Sequence, residues 1–473
     1  MSEEKDNFYN ENGFADLVKR FEKMLSNSAK YYFDVDEFEE IIDHYLNLGK
    51  VNHASKAVQL ALRQHPSSTV IQLKQAVILI EKAQPLESIS ILKTIEKIET
   101  GNPDICMAKG MALTRLGKIR EAVNEFNKSI QLTSDGKAEM MFNIALVLEQ
   151  QNQFRTALKY LVQAYDLEPD NLSYIYDIAY CYEKTDQPDK ALDYYDKFLD
   201  IDPFSENVWY NMGVIYNRKE NYKKAIEAYD YAIALDEEYA SAYVNKANTL
   251  ANSGEFESAI DVYRELLFFE EENEQVICYL GECYEKLEKW DKALEYYNKA
   301  LDINPDYADA WLGKGLVMYS MENYKLALGY VEKAIIFFPE NSEYWYALGN
   351  IFIKLDIPEK AINSYRKAVD FDPQDSDSWI NMAETFLTLN NKSKALSILE
   401  EAIMVNSGDA LLNYRLAAHF LMNEKIERAE HYLKIALSID YNQHKDFYEY
   451  YPAASRHKVV KKLVNDFRLL NGL

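Results

Sequence analysis

Four polar residues recur at one spacing: Asn143, Asp177, Asn211 and Asn245, each 34 residues from the next. A side-chain amide carries an acceptor oxygen and a donor NH2, the same pair of groups that a peptide backbone presents. A row of amides at a regular rise could hold an extended chain without reading its side chains. Asp177 only accepts, so it favours an N–H or a basic side chain. Tyr176, Tyr180 and Tyr210 flank the row and offer flat contact area that loses little entropy on binding. The chemistry on offer is recognition rather than bond-making. Polar residues on a solvent-facing helix surface would produce the same row, and that reading stands beside the first.

Bond-making chemistry has no comparable footing. A nucleophile or base needs an orienting partner, or a metal needs a cage. The chain has no GxSxG, no P-loop and no GxGxxG after a strand, and its seven histidines never approach HExxH. Cys106, Cys181, Cys278 and Cys283 form no CxxC pair, which predicts reduced thiols rather than a metal or disulfide site. Carboxylate pairs such as Glu39–Glu40 and Glu237–Glu238 belong to a chain with 77 Asp and Glu, so they read as solvated faces. We expect no catalytic residues, no metal and no cofactor, and not an enzyme.

Charge and hydropathy narrow the partners. The net charge is −25, whereas nucleic-acid affinity depends on neutralising phosphates, so no nucleic-acid partner is expected. No run approaches the roughly 18 uncharged apolar residues of a membrane span. The start, MSEEKDNFYNENG, lacks a basic n-region and an apolar h-region, which predicts a cytoplasmic location.

The elements that position the row are periodic. Small residues recur at Ala54, Ser88, Ala122, Ala157, Ala191, Ala225, Ala259, Ala293, Ala327, Ala361, Ala395 and Ala429, every step being 34 residues except one of 35. Twelve residues before most of these anchors stands another small residue, for example Gly110, Gly213, Gly281, Gly315 and Gly349. Four residues before that stands a bulky one in several units: Trp209, Tyr243, Trp311, Trp345 and Trp379. Prolines close units at Pro66, Pro169, Pro203, Pro305, Pro339 and Pro373, where the missing N–H stops a helix. The pattern resembles the tetratricopeptide repeat, W–LG–Y…A–F–A…P. The first two units depart most, with Ile42 at the small position and Ser88 at the anchor.

The resemblance implies an all-α, right-handed superhelical α-solenoid of about twelve helical hairpins with capping helices at both ends. Residues 1–34 would hold a disordered start and an N-terminal cap built on 14–25. Residues 35–443 would be the array, and 444–473 an aromatic segment and a last capping helix. One hairpin cannot bury its apolar face alone, so stability becomes a nearest-neighbour property.

The resemblance also places the polar row in the concave groove that the first helix of each repeat lines. There it resembles the asparagine ladder in the tetratricopeptide domain of O-GlcNAc transferase, though it is shorter and interrupted by Asp177. The family's carboxylate clamp for acidic chaperone tails needs a lysine one residue before the row position. The chain has none there, from Glu39 and Leu73 through Tyr210 to Tyr414. Other groove positions are more acidic than basic: Asp43, Glu149, Glu183, Glu282, Glu285 and Glu384 against Lys184, Arg218, Lys286 and Lys354. The expected function is a non-enzymatic scaffold that binds a protein or peptide partner, extended and neutral to basic, in the groove around Asn143, Asp177, Asn211 and Asn245. The alternative is a self-associating or assembly-organising rod, or the regulatory subunit of a separate enzyme. Residues 444–473 carry six Lys or Arg against three Asp or Glu and could meet an acidic surface of another copy.

Overall fold

The structure is a computed structural model that describes residues 3–26, 30–270 and 272–470. Among the described residues every regular element is a helix. The chain divides into two compact units, Met1–Asn221 and Tyr222–Leu473. In the first, the helix Glu3–Leu25 precedes five antiparallel helix pairs, from Val35–Asn47 with Val51–Gln64 to Leu172–Lys184 with Pro188–Ile201, and the helix Glu206–Arg218 follows. The second opens on Tyr222–Leu235 and continues through six pairs, from Ala240–Asn252 with Phe256–Leu266 to Ala410–Met422 with Ile426–Ile439. It closes on His444–Tyr450, a short 3-10 turn and Lys458–Leu470. Within each unit the two helices of a pair pack on each other and on the next pair, which is the architecture of an α-solenoid.

The repeat pattern maps onto this packing atom by atom. The anchor alanines are wholly buried between helices, Ala429 alone retaining a trace of exposure. Ser88 occupies the same buried position, where its hydroxyl finds no hydrogen-bond partner. Several glycines on first helices face a ring on a second helix, and Gly315 faces Val331 instead. A Cβ on Gly110 would fall 2.2 Å from the Phe126 ring, and one on Gly349 2.4 Å from Tyr365. Tyr297 is held in this way from two sides, by Gly281 of its own repeat and Gly313 of the next. The tryptophans and prolines are also linked. Nε1 of Trp311, Trp345 and Trp379 donates to the carbonyl of Pro305, Pro339 and Pro373 at 2.9, 2.8 and 3.0 Å. The proline therefore stops one helix and also anchors the indole of the next.

The turn inside each pair has a feature the composition hides. Residues five before the anchor adopt left-handed backbone, and most are not glycine: Asp186, Glu220, Glu288, Glu322 and Asp356 all lie at φ of 56 to 59°. Each turn closes with a bond from the next residue back across the helix end, as in Asn323 N to Met318 O at 2.8 Å.

The ends are covered. Leu17 and Phe21 are buried against Phe33 and Tyr45. The expected disordered start differs from what is found. Residues 3–12 continue the first helix, because the run holds no proline and the turns anchored at 14–25 propagate it; residues 1 and 2 lie outside the described residues. At the other end Lys458–Leu470 buries Val460 and Val464.

Candidate interaction surface

The first helices carry the polar row on one face. In the first unit Asn143 lies on Lys137–Glu149, Tyr176, Asp177 and Tyr180 on Leu172–Lys184, and Tyr210 and Asn211 on Glu206–Arg218. Asn143 is exposed, but Asp177 and Asn211 are half-buried, as are the three tyrosines. Asn211 Nδ2 donates to Tyr176 Oη of the preceding repeat at 3.0 Å. This corrects the expectation of a uniformly solvent-facing row, because one amide donor already serves the joint between repeats. The Lys184 ammonium stands 5.0 Å from the Tyr180 ring centroid. Asn245 is half-buried on Ala240–Asn252 in the second unit, where its carbonyl accepts from Thr249 Oγ1 at 2.7 Å.

The second unit repeats the Asn–Tyr joint. Asn381 Nδ2 donates to Tyr346 Oη at 3.2 Å and lies 3.3 Å from Asn350 Oδ1, which accepts from Tyr365 Oη at 2.7 Å. Tyr365 is four residues beyond an anchor, so a ring that packs the core sends its hydroxyl through to the first helix of its repeat. Tyr263 does the same to Asn248, and Tyr297 to Glu285 Oε2 at 2.8 Å.

Carboxylates crowd the same faces. Burial pushes the Asp177 carboxyl up to about 6. Burial first, and the neighbouring Asp177 second, push Glu149 up to about 7, although Glu149 Oε1 accepts from Cys181 Sγ at 3.2 Å. Among the described residues neither carboxylate makes an ion pair. In the second unit burial raises Glu285, and burial with Asp309 raises Glu343; Asp309 itself accepts from Tyr344 Oη.

A cavity in the first unit lay outside the expected site. It measures about 290 Å³ and is lined by Leu73, Val77, Met107 and Met111, with Lys74 at its edge paired to Glu39 at 3.0 Å and Asp43 at 2.7 Å. Its signal was present in the sequence: at the positions that hold Tyr176 and Tyr180 in the fifth repeat, the second and third repeats hold aliphatic residues and methionines. The four cysteines are buried and unpaired. Among the described residues no group of three His, Cys, Asp or Glu is placed to hold a metal, and no helix is long and apolar enough to cross a membrane.

Comparison with known proteins agrees with this geometry. Tetratricopeptide repeat models match residues 103–135, 142–206, 206–239, 240–267, 275–307, 342–375 and 376–409, more than half of the chain. No curated protein matches the sequence. Among solved structures, the chain is similar to the APC/C hetero-tetramer Cut9–Hcn1 at 12% identity over 88% of this chain and 95% of that one, with a TM-score of 0.41. A tetratricopeptide repeat protein from Parabacteroides merdae aligns at 16% identity over 64% of this chain and 100% of its own, with a TM-score of 0.41. YrrB, described as having an unusual peptide-binding site, aligns at 27% identity over 40% of this chain and 96% of its own, with a TM-score of 0.30. Twelve buried anchors one repeat apart, the glycine–ring contacts between paired helices and the matches along the chain converge: this chain belongs to the tetratricopeptide repeat family.

Proposed function

We propose that the chain is a non-enzymatic scaffold that holds an extended, neutral-to-basic protein segment against the first-helix face of its repeats. Protein-protein interaction is the general role of such repeats; the groove site and the character of the segment are our reading. One observation carries it. Glu149 and Asp177 are half-buried side by side on that face and have no cation among the described residues. An N–H or an ammonium from a partner would relieve both. Asn143 is exposed beside them, and Tyr180 and Tyr210 supply contact area. Four buried thiols suit a reducing, cytoplasmic setting.

The test is co-purification from the native host, followed by calorimetry on the partner identified, with wild type and Asp177→Asn. The variant should bind about tenfold or more weakly without melting lower. Binding to wild type should tighten from pH 5.5 to pH 8, as the two carboxyls ionise. Unchanged affinity in Asp177→Asn would sink the groove reading. A self-associating rod is the second reading, favoured by the basic outer face of the last helix.

A further inference from the structure

We propose that a second copy of this chain docks the outer face of its last helix, Lys458–Leu470, against an acidic, phenylalanine-bearing cleft in the seventh repeat. The cleft arises where the repeat is irregular. The second helix of that repeat, Phe256–Leu266, has 11 residues, whereas its neighbour Trp290–Ile303 has 14. The early stop leaves Phe268 89% exposed and Phe269 edge-on to Tyr243 at 5.5 Å. An open cleft of about 850 Å³ lies there, walled by these three rings and by Glu237, Glu238 and Glu265. Among the described residues none of the three carboxylates makes an ion pair. The cleft's one cation, Arg264, is occupied by the Tyr284 hydroxyl at 2.7 Å and by Asp261 at 3.7 Å.

The last helix has the complementary chemistry. Val460 and Val464 hold it to its own copy. Lys458, Lys461, Lys462 and Arg468 are exposed, make no ion pair among the described residues, and share the helix with one carboxylate, Asp466. Leu469 and Leu470 follow them, 74% and 84% exposed. A chain of net charge −25 repels itself almost everywhere, so this concentration of free cations beside exposed leucines is the exception. In one copy the helix is fixed through its inner face and its outer face meets solvent, which leaves the cleft to a second copy. The two patches differ, so the contact is head-to-tail and grows with concentration rather than stopping at a dimer. It does not depend on the groove reading, because neither patch includes Glu149, Asp177 or Asn143.

Sedimentation velocity on the full chain tests this. Average mass should rise with concentration at low salt and fall back toward the monomer at high salt, where screening shortens to about 3 Å at 1 M. Lys461→Glu/Lys462→Glu and Glu237→Lys/Glu238→Lys should each weaken association by about tenfold or more, and Phe268→Ser likewise. An equimolar mixture of the two charge-reversed chains should associate again. Carbodiimide coupling of mixed light and 15N-labelled wild type should join Lys461 or Lys462 of one copy to Glu237, Glu238 or Glu265 of another, and this readout needs no variant. A chain that stays monomeric at low salt, association indifferent to both charge reversals, or couplings only at other sites would each overturn the proposal. Partner capture that persists in the charge-reversed chains would show that the two surfaces act separately.

Discussion

Asn211 donates its side-chain amide to the Tyr176 hydroxyl at 3.0 Å, across the joint between two consecutive repeats and 35 residues apart in sequence. Asn381 and Tyr346, also 35 apart, do the same at 3.2 Å. The spacing is one repeat plus one residue, because stacking sets the row position of one repeat over the preceding position of the one before. An amide that reads as a ligand hand is thus a structural clamp, its Nδ2 tying one repeat to the one before.

The clamp has a measurable energy. Asn211→Ala should cost about 0.5–1.5 kcal/mol, the usual net contribution of one such bond. Tyr176→Phe should cost a similar amount. Together they should lose less than the sum, since either change already breaks the bond, and the cycle should report a coupling of about 0.5–1 kcal/mol by urea denaturation. Strict additivity would mean that the hydrogen bond contributes nothing in solution. Changing Asn143, Asn211 and Asn245 together to alanine should therefore also lower stability, so Asn143→Ala alone is the cleaner probe of binding at this face.

Asp177 should act in the opposite sense. Its carboxyl titrates near 6 in the folded chain, above the ordinary value of 3.8, so the folded state holds the proton more tightly. Ionisation therefore disfavours folding, fully above the folded pKa and progressively less as pH falls through it. Asp177→Asn should stabilise the chain by about 1 kcal/mol at pH 7.5 and by roughly half as much at pH 5, because the penalty fades only as pH falls from about 6 toward 3.8. Paired denaturant titrations at the two pH values decide the point. A gain that is equal at both would remove the charge from the explanation.

Ser88 offers a third measurement. It fills an anchor position that is alanine in the other repeats, wholly buried with an unpartnered hydroxyl. Burying such a group without a bond costs about 1–3 kcal/mol. Ser88→Ala keeps the volume close and removes the penalty, so it should raise stability by about 1 kcal/mol. Destabilisation would show that the hydroxyl has a partner after all.

The residues that shape the fold were readable because their constraint is local and periodic. Gly349 cannot be anything large while Tyr365 stands 2.4 Å from its missing Cβ, and a similar demand returns at Gly110 and Gly281. The role of Asn211 was not readable in this way. Whether its amide meets solvent or a neighbour's hydroxyl depends on how one repeat turns over the next, and composition carries no trace of that angle. The apolar cavity of Leu73, Val77, Met107 and Met111 was half-legible: the residues stood at groove positions, but an aliphatic side chain on a helix says core until its exposure is known. Phe268 was hidden for the same reason, since only the early end of its helix turns it outward.

The left-handed turns give the last prediction and show where tertiary packing overrides local preference. Glu322 sits at φ 59°, a region costing a non-glycine residue about 1–2 kcal/mol. The turn holds it there because Asn323 N must reach Met318 O at 2.8 Å for the second helix to fold back onto the first. Gly49, Gly117 and Gly254 fill the same place in their repeats without that strain. Glu322→Gly should therefore stabilise the chain, but by less than the full strain, since glycine also gains freedom in the unfolded state. The expected net gain is about 0.5–1 kcal/mol by urea denaturation, against a loss of similar size for Glu322→Val, whose branched side chain tolerates positive φ least. If both substitutions destabilise equally, Glu322 contributes through its carboxylate rather than its backbone, and the turn is not strained.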